Sequence, residues 1–169
     1  MEPGDALVAA RTIAYRMLSV RDRSEAELAA ALARKGVPSD VARAVLTEFT
    51  GRGYVDDGRL AQSVVAGVSH RPRSRSAVQR ELVERGIDKE VAQQATSELD
   101  REAEVEAARQ LAVKRAPSLR RLDELVAYRR LAAALGRRGF PADIVHQVTR
   151  ETLSAPRGGA EEDWATLEP

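Results

Sequence analysis

The chain has 169 residues, 27 Lys and Arg against 26 Asp and Glu, 43% apolar residues and no cysteine. That length suits one domain or a short array of small units, and the missing cysteines exclude disulfides, thiol catalysis and cysteine-held zinc. His70 and His146 are the only histidines, too few for a His-built metal site, and no apolar run nears the roughly 18 residues that span a bilayer.

Ala, Leu, Arg and Glu, all strong helix formers, dominate throughout, and an all-α fold is expected. The first helix is placed near residues 5–19. Ser24 followed by Glu27 forms a capping box that opens the second, near 25–35, where Leu28 and Leu32 keep helical spacing. Pro38 suits the first position of the third, near 38–52, with Val41, Val45 and Phe49 on one stripe. Gly51 or Gly53 should end that helix. Asp56 and Asp57 are adjacent, so they do not face each other on a helix; they are expected to cap the fourth, near 57–69. Tyr54 and Val55 are expected in the seam between the first two units. Further helices follow near 74–85, 88–99, 101–115, 119–138 and 141–153. The eighth has a later start as its alternative, given a loop near 116–124.

Lys35-Gly36-Val37, Arg85-Gly86-Ile87 and Arg138-Gly139-Phe140 are one phrase written three times, at spacings of 50 and 53 residues. Each glycine suits a left-handed helix end. Leu28/Val78/Leu131, Leu32/Leu82/Leu135, Val41/Val91/Ile144, Val45/Ala95/Val148 and Glu48/Glu98/Glu151 match around them. Such periodicity marks a repeat architecture. Three tandem three-helix repeats are expected at 1–54, 55–100 and 101–154, sharing cores in an elongated, curved array. Residues 155–169 form an acidic tail, expected to be disordered, with Trp164 available to dock.

No residue set supports an enzyme, a metal site or a cofactor. Gly51-Arg-Gly53 follows a helix rather than a strand and is no phosphate loop, and no serine has a nucleophile-elbow context. Charge placement is more informative. Residues 71–86 carry a balance of +3, 87–108 of −5, 114–138 of +6, and the last fourteen of −3. Only Lys35, Lys89 and Lys114 among the basic residues are lysine, and Arg forks grip carboxylate or phosphate in bidentate fashion. Arg71-Pro-Arg73-Ser-Arg75 has no acid beside it in the sequence.

Gly53-Tyr-Val-Asp-Asp57, Arg59-Leu-Ala61, the basic stretch after it, and Val78…Glu81-Leu82…Arg85-Gly86-Ile87 resemble the RecX family of bacterial recombination regulators. The resemblance covers roughly residues 6–154 and matches the threefold period. In place of the Gly-containing basic run frequent in that family, this linker is Arg71-Pro-Arg-Ser-Arg75, and the third repeat has no clear Asp-Asp turn. The resemblance implies a cytoplasmic, non-enzymatic protein that lies in the groove of the RecA filament, bridges protomers and restrains ATPase, strand exchange and coprotease action. Some members also touch DNA.

Partner contact is accordingly expected at Arg71, Arg73, Arg75 and Arg80 in the middle repeat and at Arg129, Arg130, Arg137 and Arg138 in the third. Their role would be charge-assisted hydrogen bonding to carboxylates or phosphates. A monomer is expected, without cofactor or membrane. The competing reading is a helix-turn-helix-like module that binds DNA directly. The acidic tail has the right sign to screen a basic face in the free protein.

Overall fold

The computed structural model describes residues 3–154; the acidic tail and Trp164 lie outside them. Among the described residues there are nine α-helices, one short 3-10 turn and no strand. They are α1 (Pro3–Leu18), α2 (Glu25–Arg34), α3 (Ser39–Gly51), α4 (Asp57–Ala66), α5 (Arg75–Glu84), α6 (Lys89–Ala95), α7 (Arg101–Leu119), α8 (Glu124–Gly136) and α9 (Ala142–Ser154), with the 3-10 turn at Gly67–Ser69. The contacts divide the chain into two compact units, one of residues 1–71 with 75–100, the other of residues 72–74 with 101 onward.

In the first unit, α1, α2 and α3 close around Ala10, Ala14, Leu28, Leu32, Val45 and Phe49, and α4, α5 and α6 pack on one another in the same way. Repeat-matched positions carry these cores. Leu32, Leu82 and Leu135 are fully buried, as are Leu28, Val78 and Leu131. In the second unit α7 packs on both α8 and α9. Its buried residues therefore span more than one stripe, from Val105, Ala107 and Ala108 to Leu111 and Ala112.

The caps follow local chemistry. Ser24 and Glu27 make both arms of the capping box on α2. Gly36, Gly53, Gly86 and Gly139 all have positive φ; α3 has Gly51 as its last residue, and Gly53 two residues on is the left-handed position that turns the chain away. Asp56 accepts the Arg59 amide at 2.8 Å and caps α4. Asp57 does something the sequence did not announce: it accepts the backbone N–H of Glu25, at the start of α2, at 3.0 Å. The pair thus serves two helix N-termini, as carboxylates do beside the positive end of a helix dipole.

Two expectations need correction. Val55 belongs to the first three-helix core rather than to a seam, and the exposed Tyr54 ring rests against aromatic rings of the same three helices. The Tyr54 ring lies 5.5 Å from Phe49 and 5.7 Å from Tyr15, and Val55 is buried in the same cluster. The turn at Gly53 folds the chain back on the helix it has just left, with the Tyr54 N–H donating to the Phe49 carbonyl. In addition, α7 does not stop near 115. It continues through Pro117 to the buried Leu119; a proline in the last turn forfeits one hydrogen bond, and anchoring Leu119 offsets it. Asp123 then caps α8 through the Leu125 amide.

Candidate functional site

Arginine is the chain's main chemical resource, and the structure divides its arginines into two groups. Members of the first are consumed by the fold. In the first unit the Ser24 hydroxyl, already capping α2, donates to the carbonyl of Arg85 at the end of α5. The Arg85 guanidinium donates to Glu27 at 3.2 Å and to the Asp22 carbonyl at 3.0 Å, while Arg21 donates to the other Glu27 oxygen at 2.8 Å. Burial would raise the Glu27 pKa, but hydrogen bonds from Arg21, Arg85 and the Ser24 amide override it and hold the carboxyl at about 2. Gly86 completes the junction. An added Cβ there would sit 2.3 Å from the Ala26 Cβ, so glycine is required by close approach as well as by its φ of +79°.

Arg11 pairs with Glu48 at 2.6 Å, and Arg52 with the other oxygen of the same carboxylate at 3.2 Å. In the second unit Arg101 pairs with Asp143 and Arg109 with Glu151, each guanidinium lowering its partner's carboxyl pKa by hydrogen bonding. Arg138 also belongs to this group. It is half-buried, its carbonyl accepts the Ser74 N–H at 3.2 Å, and its guanidinium reaches toward the Pro72 carbonyl at 3.5 Å.

A second group faces outward. Arg115 near the end of α7 and Arg129, Arg130 and Arg137 along α8 line one open groove of about 390 Å³, floored by Leu119, Leu131 and Ala134. Among the described residues no acidic side chain lines it. All four arginines are exposed, and among the described residues none of them makes an ion pair or a side-chain hydrogen bond. Spacing explains the convergence. Arg129 and Arg130 lie four and three residues before Ala133, and Arg137 four after it, so they share one side of α8, opposite the buried Leu135. Four planar donors around one cleft form a site for an extended anion bearing carboxylates or phosphates.

The eight residues singled out from sequence are thereby sorted. Arg129, Arg130 and Arg137 are brought together; Arg138 is turned into the fold. Arg71 and Arg80 are exposed, in the turn before α5 and on α5. Arg73 and Arg75 are half-buried and already engaged within the fold. Arg115 was missed, because a helix expected to end at 115 gave no reason to aim that side chain at α8. Its signal was the +6 charge block itself, which includes it.

The histidines serve their neighbours. His70 Nδ1 lies 2.9 Å from the Ser69 hydroxyl and His146 Nδ1 2.5 Å from the Tyr128 hydroxyl. Among the described residues no three His, Asp or Glu side chains gather as a metal site, and no helix is long and apolar enough to cross a membrane.

Comparison with known proteins places this geometry. Family models match in three blocks: the RecX first three-helix domain at residues 10–49, the second at 56–95 and the third at 102–149. The regulatory protein RecX of Amycolatopsis mediterranei is 37% identical over 154 residues, covering 90% of this chain and 88% of its own. That of Thermobifida fusca is 35% identical over 167 residues, covering 98% and 89%. The crystal structure of RecX from Lactobacillus salivarius superposes with a TM-score of 0.72 at 20% identity, over 88% of this chain and 97% of that one, which supports the fold.

Proposed function

The chain belongs to the RecX family of regulatory proteins, and from that premise we propose that it binds the RecA filament and restrains its ATPase, strand exchange and coprotease action. The family is one of non-enzymatic regulators, so binding energy is all the protein has to work with. The observation that carries the reading is the α7–α8 groove, where Arg115, Arg129, Arg130 and Arg137 present guanidiniums that make no ion pair among the described residues. Arg71 and Arg80, exposed in the middle domain, are separate contacts of the same kind.

Each exposed contact is weak, on the order of 1 kcal/mol or less until water is excluded. A filament offers the same acidic or phosphate-bearing surface again and again, so several weak contacts on one chain add through effective concentration. That design needs many arginines with none of them dominant.

ATP hydrolysis by RecA on single-stranded DNA, titrated with this protein, tests the proposal. Hydrolysis is expected to fall as protein is added. Unchanged hydrolysis together with no filament binding contradicts the proposal. The helix-turn-helix-like alternative has one observation in its favour: a groove of guanidiniums suits phosphodiesters as well as carboxylates. It predicts tight binding to DNA alone, with log affinity falling by about 0.9 per phosphate contacted for each log unit of salt.

A further inference from the structure

The α7–α8 groove has a candidate occupant within the chain. α9 ends at Ser154, and there Arg150, Leu153 and Ser154 line a cleft with Asp123, Glu124, Leu125 and Tyr128 at the start of α8. The chain thus leaves the described structure beside the first turns of α8. Leu125 is 55% and Val126 39% exposed; Val126 begins the stripe that runs on through Arg129, Arg130, Ala133 and Arg137. Twelve helical residues from Leu125 to Arg137 span about 18 Å. Seven residues lead from Ser154 to Glu161, and seven extended residues reach about 23 Å. What arrives is Glu161-Glu162-Asp163-Trp164, in a segment whose last fourteen residues carry a balance of −3.

We propose that Glu161, Glu162, Asp163 and Trp164 occupy the groove lined by Arg115, Arg129, Arg130 and Arg137 in the free protein, as a built-in competitor for the filament. Three observations converge on it: four guanidiniums without an ion pair among the described residues, a chain end whose seven-residue reach of about 23 Å exceeds the roughly 18 Å of α8 from Leu125 to Arg137, and a segment with three consecutive acids. The acids match the donors in sign. Trp164 follows them directly and supplies a π-face on which an arginine stacks, the contact for which tryptophan is the strongest ring. The competitive role rests on the filament reading above; the contact itself does not.

The chain's single tryptophan is Trp164, so its fluorescence reports on this segment alone. In the full chain at low salt, acrylamide should quench Trp164 less than in the urea-unfolded chain. Arg129→Gln/Arg130→Gln/Arg137→Gln should raise quenching to the unfolded level while circular dichroism stays unchanged. Native quenching equal to the unfolded value, or unmoved by the triple substitution, overturns the contact. In a second arm, Glu161→Gln/Glu162→Gln/Asp163→Asn in the full chain should tighten binding to RecA filaments by about three- to tenfold at low salt. The gain should vanish at high salt. Equal affinity at low salt with the quenching effect present overturns the competitive role alone. Absence of filament binding by either protein refutes the filament reading and leaves the quenching result standing.

Discussion

The junction around Arg85 and the groove around Arg129 use the same side chain for opposite ends. At the junction Arg85 keeps a side-chain exposure of only 17%, and one terminal nitrogen of its guanidinium donates to a carboxylate it shares with Arg21 and to the Asp22 carbonyl. In the groove the arginines stand exposed on one helix face, with apolar residues beneath and, among the described residues, no acid lining the cleft. A count of arginines treats the two alike. What separates them is whether a carboxylate has been placed within reach, and that placement is tertiary. The comparison also warns against reading a basic motif as a binding motif. Arg21-Asp-Arg23-Ser24 and Arg71-Pro-Arg73-Ser74 are 50 residues apart and repeat the same pattern. Ser24 meets the carbonyl of Arg85, and the Ser74 amide meets that of Arg138, so the pattern belongs to the repeat.

The largest effect should come from the buried face of α5. Leu82→Ala, at a fully buried site in α5, should cost about 2–5 kcal/mol, seen as a lowered denaturant midpoint; a loss below about 1 kcal/mol would contradict the assignment of its core. Next comes a matched pair of glycines. Gly86→Ala adds a clash with Ala26 to left-handed strain, for a total of about 2–4 kcal/mol. Gly36→Ala has the same backbone strain with nothing within 4 Å, and should cost only about 1–2 kcal/mol. Equal losses would show that the Ala26 approach is unimportant.

Glu27 provides the third step. Its carboxyl sits at about 2 when folded, against 4.5 as the ordinary value. A depressed folded pKa gives stability that is complete above the unfolded value and lost as pH falls from about 4.5 toward about 2. For a side chain with 19% exposure, the effect should be about 1–3 kcal/mol. Glu27→Gln should remove most of this acid-sensitive component when melting is followed across that range. An unaltered pH profile would mean that the junction is not electrostatically held.

The smallest effect on stability should come from the groove. Arg129→Gln/Arg130→Gln/Arg137→Gln removes charges that pair with nothing described and relieves mutual repulsion, so melting should change by less than about 0.5 kcal/mol per site. A larger loss would place these arginines with Arg85, among those the fold consumes.

Much of this was legible in the sequence because it is local. The capping box at Ser24 and Glu27, the glycine phrases and the heptad-like spacing of Leu28, Leu32 and their matches involve neighbours within a few turns. The Ser24–Arg85 contact joins residues 61 apart, and nothing local announces it beyond the 50-residue echo of Arg-x-Arg-Ser. The groove was half legible. Arg129, Arg130 and Arg137 share a helix face, which spacing reveals, whereas Arg115 joins them only because α7 continues through Pro117 and lies against α8. Arg73 and Arg138 looked like Arg71 and Arg80 because exposure is set by packing, which a run of basic residues does not encode.

The proposed filament contact uses arginines that make no ion pair among the described residues. RecA ATP hydrolysis on single-stranded DNA, titrated with the full chain and with Arg129→Gln/Arg130→Gln/Arg137→Gln, is the decisive measurement. Inhibition by the full chain is expected, with at least about tenfold more of the triple variant required and its melting unchanged. Equal inhibition by both proteins would contradict it and move the interface away from the α7–α8 groove.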